Sequence, residues 1–258
     1  MPNGDLQGSS IEMGINLCYS HAPTKASVLV LMDSRFVSSR EALYTVRDAE
    51  AAVREVGTIT TYITGSIASG LLDGVTRFVI PELKAIQPSF LDDLSTADRT
   101  ALKSYVESGA GRLIVIGGSR LVPISGSSNA AALINKIFRF KVEDRIFSSY
   151  PFRVEPSTSI KSGDAADTIF KDDAASLAYA NNVRCLVITR LPATATSVYL
   201  TNDKNNRGVE INRSAVTTFF DNNLVHIGYD WNAGSGTVWA NILATTLLAS
   251  PTTLCLSY

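Results

Sequence analysis

Seven residues stand where an α/β protein keeps its chemistry. Asp33 and Ser34 follow one apolar run, Glu82 a second, Gly117, Gly118 and Ser119 a third, and Asp230 a fourth. In open parallel sheets ligands bind outside the carboxyl ends of the strands, so groups just past each strand gather at one edge. Carboxylates, hydroxyls and a glycine turn at that edge would make a site of hard oxygen donors, suited to a small polar molecule or a cation. Asp and Ser after strands also cap the helices that follow, so each residue has a structural role available beside the chemical one.

Nucleophilic chemistry is the next possibility. Ser119 stands at a strand-to-helix turn, but a hydrolase elbow needs Gly-x-Ser-x-Gly, and Gly117-Gly118-Ser119-Arg120-Leu121 lacks the closing glycine. A serine nucleophile needs a base. Of the two histidines, His226 lies inside the run LVHIG and reads as a core or sheet-face residue, while His21 belongs to the amino-terminal segment. Cys18-Tyr19-Ser20-His21 brings a thiol near an imidazole, yet zinc requires three or four ligands and no second pair is near. Gly109-Ala110-Gly111 precedes a strand instead of following one, and no phosphate-binding Gly-x-x-x-x-Gly-Lys occurs, so neither NAD nor ATP is supported. No cofactor is implied and no metal is assigned.

The elements that must position these groups are legible from periodicity. Ser27 to Met32 (SVLVLM) reads as a buried strand, and Leu43, Val46, Ala49, Ala52, Val53 and Val56 mark an amphipathic helix stopped by Gly57. Thr58 to Thr64 is rich in β-branched residues, as strands are. Phe78, Val79 and Ile80 form a strand that must stop at Pro81. Ser95 with Asp98 three residues on opens a helix by capping, with Leu94, Ala101, Leu102, Tyr105 and Val106 inward. Leu113 to Ile116 is a strand and Asn129 to Phe138 a helix. Short connections between alternating strands and helices require right-handed crossovers and a parallel sheet with helices on both faces. From 140 to 182 the pattern blurs into an irregular insertion at the sheet edge. Strands return at Cys185 to Thr189 and Ser197 to Thr201. Asp221-Asn222-Asn223 then turns an antiparallel hairpin between Val216 to Phe220 and Leu224 to Gly228, and Gly236 to Ala249 closes the chain as a helix. The expected fold is a flavodoxin-like three-layer sandwich with a mainly parallel sheet, a late hairpin and an insertion. Residues 1–24 form an extension to a single domain spanning 25–258.

Composition bounds the partners. With 45% apolar and 18% charged residues the chain can bury a full core. A net charge of −1 draws it to neither nucleic acid nor anionic lipid. No stretch reaches the roughly 18–20 apolar residues of a membrane span. Residues 1–24 show no secretory signal, so a cytoplasmic location is expected, or an extracellular one if a leader was removed earlier. Cys18, Cys185 and Cys255 are too few and too scattered for a disulfide framework. Asn212-Arg213-Ser214 matches the short glycosylation pattern.

The runs SVLVLMD and FVIPEL, the segment STADRTALKSYVESGAGRLIVIGG, and LVHIGYDW with its following Trp-containing helix resemble the class I glutamine amidotransferase-like superfamily, nearest its trehalose-utilisation-type branch. The likeness covers about residues 27–139 and 214–249. It implies the fold and an elbow after the LIVI strand, where amidotransferase members carry a Cys nucleophile served by a later His and Glu. This chain has Gly118-Ser119 there and no nearby cysteine. A hydroxyl without a working base cannot stand in for a thiolate, so the resemblance implies a scaffold without its triad. Two functions are open. One is a non-catalytic binding or assembly module with a protein partner or self-association. The other is a hydrolase acting on a small polar, sugar-like substrate through Asp33, Glu82 and Ser119.

Overall fold

The apolar runs become strands buried along almost their whole length. β1 (Ala26–Leu31) leads through α1 (Ser39–Val53) to β2 (Gly57–Tyr62), and a longer crossover reaches β3 (Arg77–Ile80). The short α2 (Phe90–Asp93) and α3 (Thr96–Glu107) carry the chain to β4 (Arg112–Ile116), which α4 (Asn129–Phe138) follows. Then come β5 (Asp144–Phe147), β6 (Ser159–Lys161), β7 (Ser176–Leu177), β8 (Val183–Val187), β9 (Ala195–Lys204), β10 (Glu210–Phe219), β11 (Leu224–Ile227) and α5 (Thr237–Leu248). This computed structural model describes residues 26–62, 66–84, 89–117, 129–147, 159–161, 168–173, 176–177, 183–204, 210–229, 231 and 237–251.

The strand order is β2-β1-β3-β4-β11-β10-β9-β6-β7, with β8 beside β10 and β5 beside β8. From β2 to β11 every pairing is parallel. From β11 outward every pairing is antiparallel, beginning with the expected hairpin of β10 and β11. Successive side chains alternate between the faces. Leu29, Leu31, Phe78, Ile80, Leu113 and Val115 pack against α2, α3 and α4. Val28, Val30, Val79, Ile114 and Ile116 pack against α1 and α5. The result is the three-layer sandwich that the periodicity implies.

Local chemistry starts and stops these elements. Ser95 and Asp98 form the expected capping box on α3. The other oxygen of Asp98 accepts from Ser66 Oγ (2.7 Å) and the Ala68 amide (2.9 Å), tying the β2–β3 crossover to the helix. Burial alone would raise the Asp98 carboxyl, but these bonds and those from Ser95 outweigh it and hold it at about 2. The β10–β11 turn puts Phe220, Asp221 and Asn222 at φ of 49°, 51° and 73°. Left-handed backbone is tolerable for Asp and Asn but strained for Phe. Phe220 is held there by Phe138 and Phe140, at 5.2 and 5.7 Å between ring centres.

Three sequence expectations change. α1 exists, but its buried face carries Glu41, Ala42, Thr45, Asp48, Ala49 and Val53, whereas Leu43 is 61% and Val56 47% exposed. The face is set by Ala42 and Ala49, which admit close packing, and by Asp48 Oδ2, which accepts from Trp231 Nε1 at 2.9 Å. Gly57 is the first residue of β2, not a helix stop; a Cβ there would lie 2.4 Å from the Ala26 carbonyl oxygen. The stretch 140–182 lies toward the sheet edge as expected, yet it supplies β5, β6 and β7.

The last helix is fastened from below. Arg77 and Arg112, register partners at the roots of β3 and β4, are 3% and 0% exposed. Arg77 donates to the carbonyls of Leu247, Ala249 and Thr76. Arg112 donates to those of Thr246 (2.7 Å), Ala249 (2.8 Å), Ser250 (2.9 Å) and Asn222. Carbonyls at a helix carboxyl end lack intrahelical donors and carry partial negative charge, so two buried cations are tolerated there. Burial pulls Arg77 down to about 10 and Arg112 to about 9, and both stay charged at neutral pH. Arg112→Met should leave these carbonyls without donors and cost on the order of 3 kcal/mol in urea unfolding. Arg112→Lys, without the planar fork, should recover only part of the loss.

Candidate functional site

The chain leaves β1 toward β2 on one side and returns to β3 on the other, so the crevice at the exits of β1 and β3 is where this architecture holds ligands. Here the loops that follow β1 and β3 are bonded to each other. Val37 and Leu83 form an antiparallel bridge, and the Lys84 amide donates to the Phe36 carbonyl at 2.6 Å. Lys84 Nζ donates to the Ser34 carbonyl at 2.6 Å. Asn129, the first residue of α4, donates its side-chain amide to the Lys84 carbonyl at 2.7 Å. Phe36, Val37 and Leu83 are buried in the core beneath.

Asp33 lies under these bonds, almost fully buried. Its carboxylate accepts from the Arg35 amide (2.9 Å) and from Arg35 Nε and Nη2 (3.0 and 2.7 Å). Arg35 also pairs with Asp93 at 3.1 Å and lies over the Phe36 ring at 4.5 Å. Hydrogen bonding by Arg35 holds the Asp33 carboxyl below its ordinary range, against a smaller opposing effect of burial. A carboxylate so held is a weak proton acceptor. Glu82 is half-buried between buried Pro81 and Leu83, and the Ser34 side chain is exposed. Gly118, Ser119 and Asp230 lie outside the described residues. Asp230 is flanked by Tyr229 and Trp231, whose rings meet edge to face at 4.8 Å. Among the described residues no group of three His, Cys, Asp or Glu side chains is placed to hold a metal ion.

The elbow end of β4 offers a second setting. The Gly117 amide donates to the Ile227 carbonyl at 2.9 Å. A Cβ at Gly117 would lie 2.7 Å from His226 Nε2 and 3.0 Å from Ala130 Cβ, so the glycine is required by the packing. His226 is fully buried, as a core residue of β11, and among the described residues neither ring nitrogen has a hydrogen-bond partner. Burial pushes its imidazole down, to about 4, so it is neutral at pH 7. Nearby, Arg184 Nη1 donates to Asp144 Oδ2 at 3.1 Å, with both side chains sealed from solvent. Periodicity does not reveal this pair; its sequence signal is an Arg inside the apolar run Val183–Val187. Ser214 of the glycosylation pattern is fully buried in β10.

Among solved structures the chain is similar to a ThuA-like protein from Bacteroides uniformis, at 13% identity over 90% of this chain and 94% of that one, with a TM-score of 0.52. The two chains share a fold, a three-layer α/β sandwich. A GMP synthase component from Thermoplasma acidophilum is also similar, at 13% identity over 88% of this chain and 94% of that one, with a TM-score of 0.49. A glutamine amidotransferase from Thermotoga maritima shares 11% identity over 81% of this chain and 76% of that one, with a TM-score of 0.46. No family model and no curated protein sequence matches the chain. What is shared with the amidotransferase-like fold is architecture, which many unrelated functions use.

Three substitutions test this geometry. Arg35→Ala should raise the Asp33 carboxyl toward the ordinary value, read by carbon-detected NMR titration; an unmoved Asp33 would show that Arg35 does not control it. Gly117→Ala should cost about 1–3 kcal/mol through overpacking. Combined with His226→Ala it should cost less than the sum of the two changes, because the clash partner is gone.

Proposed function

We propose that this chain is a non-catalytic binding or assembly module built on the amidotransferase-like scaffold. The observation that supports the reading is that the loops at the exits of β1 and β3 are tied together. They are bridged to each other and to α4, and their carboxylate Asp33 is committed to Arg35. The missing cysteine at the elbow and the net charge of −1 agree with it. A near-neutral molecule associates without long-range repulsion between its copies.

The opposing reading is a hydrolase of small polar, sugar-like molecules acting at the strand ends. Light scattering over a wide concentration range, with affinity capture and quantification of bound proteins, separates the two. Reversible self-association, or one partner recovered in stoichiometric amount, is the expected result. A strict monomer that captures nothing and turns over a panel of glycoside and ester substrates, with the turnover lost in Ser119→Ala, would sink the proposal.

A further inference from the structure

Among the described residues β2 pairs with β1 alone, so it is the open edge of the parallel block. Its six residues, Gly57–Tyr62 (GTITTY), hold an unbroken register with β1 and include neither a charge nor a proline. Edge strands are normally guarded by lysine, proline, a bulge or extreme shortness, because unpaired amides and carbonyls invite another strand. β2 has none of these guards.

The ladder fixes which groups face outward. The Ala26 amide donates to the Val56 carbonyl at 3.1 Å, and Ala26 is the register partner of Gly57. In a parallel ladder the backbone groups of alternate residues turn to the same neighbour. Thr58 and Thr60 therefore bond β1, while Gly57, Ile59 and Thr61 present their amides and carbonyls to the open side. An antiparallel mate centred on Ile59 uses all three: Ile59 meets its own copy and Gly57 meets Thr61 twice, for about six hydrogen bonds. The same register sets Thr58 opposite Thr60, both exposed, a favourable cross-strand pair.

α1 widens this surface. Its Asp48 bonds Trp231, which shares a core cluster with Trp239, Ile242 and Leu243 of α5, so that flank of α1 turns toward α5. Helical spacing puts Leu43, Val46 and Glu50 on the opposite flank, beside the β2 edge. Leu43 and Val56, the residue before β2, are two of the three large hydrophobics exposed among the described residues. Exposed Arg47 and Arg54 bracket Glu50, so reversing the helix across an axis brings opposite charges within reach. Antiparallel strands of one sheet are related by an axis perpendicular to it, which keeps α1 and its mate on the same face. α1 lies over β1 and β2. With strands about 4.8 Å apart, the two helices come to about 10 Å, the spacing at which helices pack.

We propose that the β2 edge and the outer flank of α1 form a homodimer interface, in which β2 pairs antiparallel with β2 of a second copy and the sheet continues through a two-fold axis. A second copy is the occupant because the surface complements itself on reversal: outward amides meet carbonyls, threonine meets threonine, and an uncharged strand does not repel its mate. The net charge of −1 adds little repulsion at long range. This inference rests on the assembly reading above and gives it a surface.

Sedimentation equilibrium over a wide concentration range is expected to show a reversible dimer. Thr58→Lys with Thr60→Lys sets like charges opposite each other and should weaken the dimer about tenfold or more. Thr58→Lys with Thr60→Glu sets opposite charges there and should restore it. Should a variant fail to fold, residue-resolved hydrogen exchange of the unaltered chain gives the same reading. The Ile59 and Thr61 amides gain protection as concentration rises, whereas those of Thr58 and Thr60 are protected throughout. A dimer that the like-charge variant leaves intact overturns the proposal and spares the assembly reading, since association then uses another surface. Protection of Ile59 and Thr61 already in the monomer overturns it too, because the chain then covers its own edge. So does a strict monomer, after which the module reading rests on stoichiometric capture of a different protein.

Discussion

The fold is closed by two guanidinium groups. Arg77 and Arg112 begin neighbouring strands of the parallel block and both reach the carbonyls that end α5. Without these cations the helix end would sit against buried backbone with its acceptors unmet, at a cost of a few kcal/mol. α5 in turn covers one face of the sheet through Trp239, Ile242, Leu243 and Leu247 and packs along α1. One face of the sandwich therefore stays dry because of charges on the first residues of β3 and β4. Buried charge stabilises here because every acceptor is fixed backbone carbonyl and both donors are planar forks.

How much of this was legible in the sequence follows the range of the interactions. The capping box of α3, the strand stop at Pro81 and the turn at Asp221–Asn222–Asn223 use neighbours a few residues apart, and each reads correctly. The inward face of α1 does not, because the partner that draws Asp48 inside is Trp231, 183 residues on; apolar periodicity alone points Leu43 inward instead. β5 is hidden for the same reason, since it has no helix-like or strand-like run to announce it and its pairing partner is the distant β8. The candidate site is legible as a place and not as a state. Asp33 stands where strand order predicts, yet that Arg35 two residues on grips it, and that Leu83 bridges Val37, depends on the tertiary approach of two loops.

Open α/β sheets leave a crevice where the strand order reverses, because the two loops there diverge. In this chain they converge, and a side chain of α4 bonds both Leu83 and Lys84. The same backbone layout can thus keep these loops apart or tie them together, depending on a handful of residues after β1 and β3. Shared topology transmits the position and leaves the occupant open.

β4 and β11 are the seam where the parallel block meets the antiparallel half, and Arg112 beneath it bonds Asn222, 110 residues away along the chain. Contacts between such distant segments form only after a long loop has closed, and that entropy cost slows folding. The hairpin of β10 and β11 pairs residues close along the chain and needs no such closure. Joining that hairpin to β4 brings together strands about 110 residues apart, and until it happens one side of β4 is an open apolar edge of the kind that invites pairing with other chains.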